Sequence, residues 1–135
     1  MAKRFRILVV EDGKENVAAA KRYFDMLEID VDYAGTYRKA IGLARENNYD
    51  GAIIDSVFPM DENGKIEWLG LRLGGVLGTY EIPCVFLFGL QIPFADVYLD
   101  KAAVKTGIGC RTVEKNESRA WGFAFNVLRR KMRVY

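Results

Sequence analysis

Gly51-Ala52-Ile53-Ile54 is a run of four uncharged residues, bounded by Tyr49-Asp50 before it and Asp55 after it, with Pro59 ending any continuation. So short a run, without a polar residue, predicts a strand covered on both faces, as central strands of parallel sheets are. Phe5 to Val10 also reads as a strand, β-branched and apolar from Ile7 on, that stops abruptly at Glu11-Asp12, and Pro83 to Phe88 is another uncharged strand. Strands of this kind need helices on both sides of their sheet, which restricts the chain to an α/β architecture.

The intervening segments supply those helices. Val17, Ala20, Phe24 and Leu27 recur at intervals of three and four, one face of a helix. Asp12 and Glu15 have capping-box spacing, so that helix is expected to begin at Asp12. Ile29 to Tyr33 alternates apolar and acidic residues, which predicts a strand near a sheet edge. Thr36 can cap a second helix with Ala40, Leu43 and Ala44 inward, stopped at Asn47-Asn48. Ile66 to Leu73 predicts a third helix, weakened by Gly70, Gly74, Gly75 and Gly78, since an interior glycine costs about 1 kcal/mol against alanine. No Gly-Lys-Ser/Thr ending follows these glycines and no strand leads into them, so they are read as close helix packing or an early break, not a phosphate loop. Ala95 to Thr106 predicts a further helix stopped by Gly107. Cys110 to Glu114 is expected as a fifth strand, and Asn116 to Met132 as a fifth helix with Trp121, Phe125, Leu128 and Met132 inward.

Five β-α units with no linker predict a doubly wound, five-stranded parallel sheet with five helices, in the order 2-1-3-4-5. The length of 135 residues fits one domain, residues 1–135. In that order strands one and three are neighbours, and ligands bind at the carboxyl ends of the strands where they meet. Glu11, Asp12 and Asp55 should then converge in one crevice.

Composition narrows the chemistry. The chain has no histidine, which excludes histidine-based triads and histidine-ligated metals and argues against zinc. Cys84 and Cys110 lack metal-ligand spacing and read as buried free thiols in a reducing cytoplasm. A net charge of +2 is too small to argue for nucleic acid as a partner. The apolar run after Lys3, Arg4 and Arg6 is too short for a signal peptide, and no stretch is long enough to span a membrane. Three carboxylates in one place repel unless protons or a cation relieve them. Oxygen ligands alone suit Mg2+, which keeps waters and completes its shell with phosphate, and a carboxylate can itself be the nucleophile that forms an acyl phosphate. The competing reading is structural: Asp12 caps its helix and Asp55 caps the turn at Ser56.

The run Ile7-Leu8-Val9-Val10-Glu11-Asp12, with Asn16 four residues on, resembles the opening of a response-regulator receiver domain. Asp55, with Pro59 at the fourth position after it, then Met60-Asp61 and Gly64, is similar to that family's phosphoacceptor strand and loop. The resemblance covers essentially the whole chain and implies a stand-alone, CheY-like (flavodoxin-like) receiver in two-component phosphorelay signalling. It implies Asp55 as the phosphoacceptor, with Mg2+ held by Glu11, Asp12, Asp55 and the backbone carbonyl of Val57. The family's phosphate-contacting lysine falls on Lys115, with Lys101 as the alternative. Lys101 keeps the family's aromatic-to-lysine spacing but leaves no room for a fourth helix, whereas Lys115 leaves a full helix before it and one after it. The chain departs from the pattern at the switch. Phe88 stands where the fourth strand normally ends in a serine or threonine, Thr112 stands near the switch aromatic, and Asn116 replaces the proline after the lysine. The loop after Pro59 is longer by about one residue.

Partners implied by the resemblance are a sensor histidine kinase or phosphotransfer protein, a downstream protein, and a second copy of the chain. Any enzymatic activity would be limited to self-phosphorylation from a phosphodonor and autodephosphorylation. The altered switch motivates an alternative, a pseudo-receiver that acts by phosphorylation-independent protein contact. A hydrolase using Asp55 is a weaker third, because aspartyl-nucleophile phosphatases want a second aspartate where Val57 stands. Phe88 to Phe94 is apolar for a loop and is either a partner patch or a cover for the fourth helix. The basic residues Lys3, Arg4, Arg6, Arg129, Arg130, Lys131 and Arg133 should lie opposite the acidic crevice, as an anion contact or as a solvated face.

Overall fold

The computed structural model describes residues 4–88, 107–109 and 115–132. In chain order these form β1 (Arg6–Val10), α1 (Lys14–Phe24), β2 (Asp30–Ala34), α2 (Tyr37–Glu46), β3 (Gly51–Ile54), β4 (Phe58–Pro59), β5 (Ile66–Glu67), α3 (Gly70–Thr79), β6 (Cys84–Phe88), β7 (Gly107–Gly109) and α4 (Ser118–Lys131). The main sheet is parallel and runs β2-β1-β3-β6, with β7 paired along the outer side of β6. This is the doubly wound α/β arrangement expected from the sequence. The helix expected over Ala95 to Thr106 lies outside the described residues, and four helices are seen among those described.

The uncharged strands are uncharged because both faces of the sheet are covered. Ile7, Val9, Ile53, Val85 and Leu87 point to one side and pack with Ala19, Ala20 and Phe24 of α1 and Trp121, Phe125 and Leu128 of α4. Leu8, Val10, Ala52, Ile54 and Phe86 alternate to the other side, against Ala40 and Ala44 of α2 and Leu73 and Leu77 of α3. The stripe expected on the C-terminal helix is therefore core, and Trp121 is 1% exposed within it.

Several boundaries differ from the sequence expectation, each for a local reason. The first helix begins at Lys14 after Gly13, and no side chain caps it, so Asp12 is not its cap. Ile66 does not open a helix; it pairs Pro59 in a two-stranded antiparallel ribbon, and α3 starts at Gly70. Gly107 is the first residue of β7, which pairs β6, and the fifth strand expected over Cys110 to Glu114 falls on residues that are not described. Two expectations hold in atomic detail: Thr36 caps α2 by accepting the Lys39 N–H at 3.1 Å, and Asn47 ends that helix. Among the described residues no helix is long and apolar enough to cross a membrane.

Candidate functional site

Register brings the acidic residues together. Val10 of β1 lies opposite Ile54 of β3, so the next residues, Glu11 and Asp55, leave the sheet side by side. The Asp55 N–H donates to the Val10 carbonyl at 2.9 Å, and the Glu11 N–H donates to the Ala34 carbonyl of β2 at 3.0 Å. Both residues thus start from backbone fixed by the ladder. β1 lies between β2 and β3, which makes this the point where the winding of the sheet reverses.

Glu11 and Asp55 are buried, at 3% and 4% exposure, whereas Asp12 is exposed. One carboxylate oxygen from each of Glu11, Asp12 and Asp55 lies within 4.8 Å of the others. Into this group comes Lys115, from the segment before α4. Its Nζ is 2.7 Å from Glu11 Oε1 and 2.9 Å from Asp55 Oδ1, and its side chain is 11% exposed. The second Glu11 oxygen accepts the Gly13 N–H at 3.0 Å. Asp55 Oδ1 also accepts the Ser56 N–H at 2.8 Å. Among the described residues no hydrogen bond reaches Asp55 Oδ2, which leaves that oxygen for another partner.

Three carboxylates face one ammonium here. Burial pushes the Asp55 carboxyl up to about 7; the Glu11 charge adds to the rise and Lys115 opposes it. Asp12 is raised by burial and then by Glu11. Burial by itself would pull the Lys115 ammonium down, but attraction to Asp55 and Glu11 outweighs it and leaves the group above its ordinary value. A site with surplus negative charge and only hard oxygen donors fits a divalent cation such as Mg2+. The 4.8 Å spread is close to the span of about 4 Å across an octahedral magnesium shell, so small side-chain movements suffice.

The sequence-derived residues therefore divide. Glu11, Asp12, Asp55 and Lys115 meet. Val57 follows Ser56 in the loop after β3, and Phe88 ends β6. Lys101 and Thr112 lie outside the described residues. The turn reading of Asp55 is also met, because its side chain does accept the Ser56 N–H; one oxygen serves the turn and the carboxylate still belongs to the cluster. Sequence reasoning missed Trp121, whose indole Nε1–H donates to the Lys115 carbonyl at 2.7 Å. The signal was present, since a buried tryptophan needs a partner for its N–H. It pointed to some acceptor without saying which.

The fold is of the CheY-like receiver type, as comparison with solved structures shows. No protein-family model and no curated protein matches the chain. Among solved structures it is similar to the receiver domain of an HD-domain protein from Pseudomonas fluorescens, at TM-score 0.70 and 13% identity, covering 96% of this chain and 98% of that one. The receiver domain of a Francisella response regulator matches at TM-score 0.67 and 21% identity, over 95% and 99% of the two chains. A CheY-like receiver domain from Methanospirillum hungatei matches at TM-score 0.70 and 15% identity, over 96% and 94%. The chain thus has the receiver-domain fold.

Proposed function

We propose that the protein is a response-regulator receiver, one domain over residues 1–135, that accepts a phosphoryl group on Asp55 and signals through protein contacts. The observation that carries this reading is the Lys115 ammonium held 2.7 and 2.9 Å from two buried carboxylates at the winding reversal of the sheet. Neither a helix cap nor a turn requires that arrangement. Asp55 supplies the nucleophile: a bond forms from its carboxylate oxygen to phosphorus, the bond from phosphorus to the donor breaks, and the leaving group keeps the electron pair. Lys115 then pairs with the phosphoryl oxygens, and Glu11 holds Lys115 in place. Mg2+ supplies neutralising charge and a phosphate-oxygen ligand site, held by Asp12, Asp55, Glu11 and the Val57 carbonyl. A sensor histidine kinase or phosphotransfer protein is the donor in a two-component phosphorelay, and the location is cytoplasmic. Support comes from the acidic cluster and from receiver domains that share the fold.

Magnesium-dependent labelling with a small phosphodonor, read by intact mass, tests this. Wild type should gain one phosphoryl group and Asp55→Asn none. Equal labelling of the two proteins, or none of wild type, would falsify the reading. Phe88 at the end of β6 favours a second reading, because phenylalanine cannot donate the hydrogen bond that a hydroxyl there gives a phosphoryl group. On that reading the chain is a pseudo-receiver that binds its partner regardless of phosphorylation. A change in partner affinity or oligomeric state on phosphorylation rules it out.

A further inference from the structure

The Lys115 side chain is long and flexible, and fixing such a chain costs conformational entropy. Its ammonium is nevertheless held between Glu11 and Asp55. Lys115 precedes α4 in a turn, so the sheet ladder does not hold it. Two side chains hold its backbone instead. The Trp121 indole N–H donates to the Lys115 carbonyl at 2.7 Å, and the Arg22 guanidinium of α1 donates to the next carbonyl, Asn116, at 3.2 Å. Consecutive carbonyls are thus tied to two different helices. The two anchors differ in rigidity. Trp121 is 1% exposed and packed among Ile7, Val9 and Phe125, so its N–H has little freedom to follow a moving loop. Arg22 is exposed and adaptable.

We infer that Trp121 is a positioning residue for Lys115: its indole N–H fixes the lysine backbone so that the ammonium reaches the acidic pair, with Arg22 as a weaker second tie. The importance of this for phosphoryl transfer rests on the function proposed above; the positioning itself does not. A purely structural tryptophan would fill the core and use the Lys115 carbonyl only to satisfy its N–H. The two roles separate when the ring is kept and the N–H removed.

The test replaces Trp121 with phenylalanine and, because that variant loses ring volume, also with 3-benzothienylalanine, which keeps the bicyclic shape and lacks the donor. Phe24→Leu serves as a control that loosens the same core without touching the hydrogen bond. The first readout is acylation of the Lys115 amine by an anhydride, quantified by peptide mass mapping against the other lysines. Removing the N–H should raise Lys115 acylation by about five- to tenfold, the span one hydrogen bond controls, and Phe24→Leu should not. Arg22→Met should raise it less. Acylation unchanged in the benzothienyl protein, or raised equally by Phe24→Leu, overturns the inference. The second readout is the phosphodonor labelling rate, expected to fall by about the same factor. Failure of wild type to label sinks the proposed function and leaves the acylation result to decide the positioning role.

Discussion

Asp55 is a carboxylate that the fold holds against its own ionisation. Burial raises it from the ordinary value of 3.8 to about 7. The native state therefore keeps a proton that the unfolded chain releases in the acid range. The stability this confers is fully present below about pH 4 and is lost as pH rises through about 7. Asp55→Asn removes the titration. The variant should gain stability relative to wild type between about pH 4 and pH 8, so that urea midpoints diverge with rising pH. Parallel pH profiles for the two proteins would show that the rise in Asp55 is cancelled by its neighbours. Asp12 differs: it is exposed, and its smaller burden makes it the more accessible ligand for a cation. Glu11 has both oxygens engaged, by Lys115 and by the Gly13 N–H, and so acts first as the support of Lys115.

At the scale of elements, α3 shows how glycine can be read. It carries Gly74 and Gly75 next to each other, with opposite surroundings. A Cβ on Gly74 would run into the Phe86 ring of β6, whereas one on Gly75 would meet nothing within 4 Å. Gly75→Ala should stabilise by up to about 1 kcal/mol through helix propensity alone. Gly74→Ala should destabilise by about 1–3 kcal/mol, because overpacking against the sheet outweighs the same gain. Thermal melts of the two variants check this, and movement of both in one direction would mean that Phe86 yields freely. Of the two readings of these glycines, close packing or an early break, close packing holds at Gly74, and the start expected for the helix was misplaced. Ile66 and Trp68 are each 53% exposed, so their apolar character does not mark a buried helix face. β2 shows the reverse case. Asp32, an acidic residue within a strand, is accommodated because its Oδ2 accepts from the Tyr49 hydroxyl at 2.6 Å and from Arg6 Nη2 at 2.7 Å. That network ties β1 and β2 to the entry of β3.

For the whole molecule, cation binding and folding are linked through the acidic group. A cation that binds only the native state adds stability as its concentration exceeds its dissociation constant, about 2.7 kcal/mol at a hundredfold excess. Mg2+ should therefore raise the Tm. The rise should be larger at about pH 8 than at about pH 5, because the cation competes with the proton on Asp55. Asp55→Asn should shrink the shift at pH 8. A Tm indifferent to Mg2+ at the higher pH would remove the metal from the proposal and leave the acidic group to its lysine alone.

The sequence by itself determined the architecture. Ile7 to Val10 and Gly51 to Ile54 are uncharged because helices cover both faces, and alternation of such runs with helical stripes admits little except a parallel α/β sheet. It also determined that Glu11, Asp12 and Asp55 would meet, since strand order alone carries the ends of β1 and β3 to one place. Tertiary structure decided what local pattern cannot encode. Whether Asp12 caps a helix or faces the acidic pair depends on where α1 begins, and it begins after Gly13. The contact of Lys115 with the cluster, and the tie of its carbonyl to Trp121, depend on how α4 docks across the sheet. The cluster contacts join Lys115 to Glu11, 104 positions earlier, and to Asp55, and no periodicity in the chain records them.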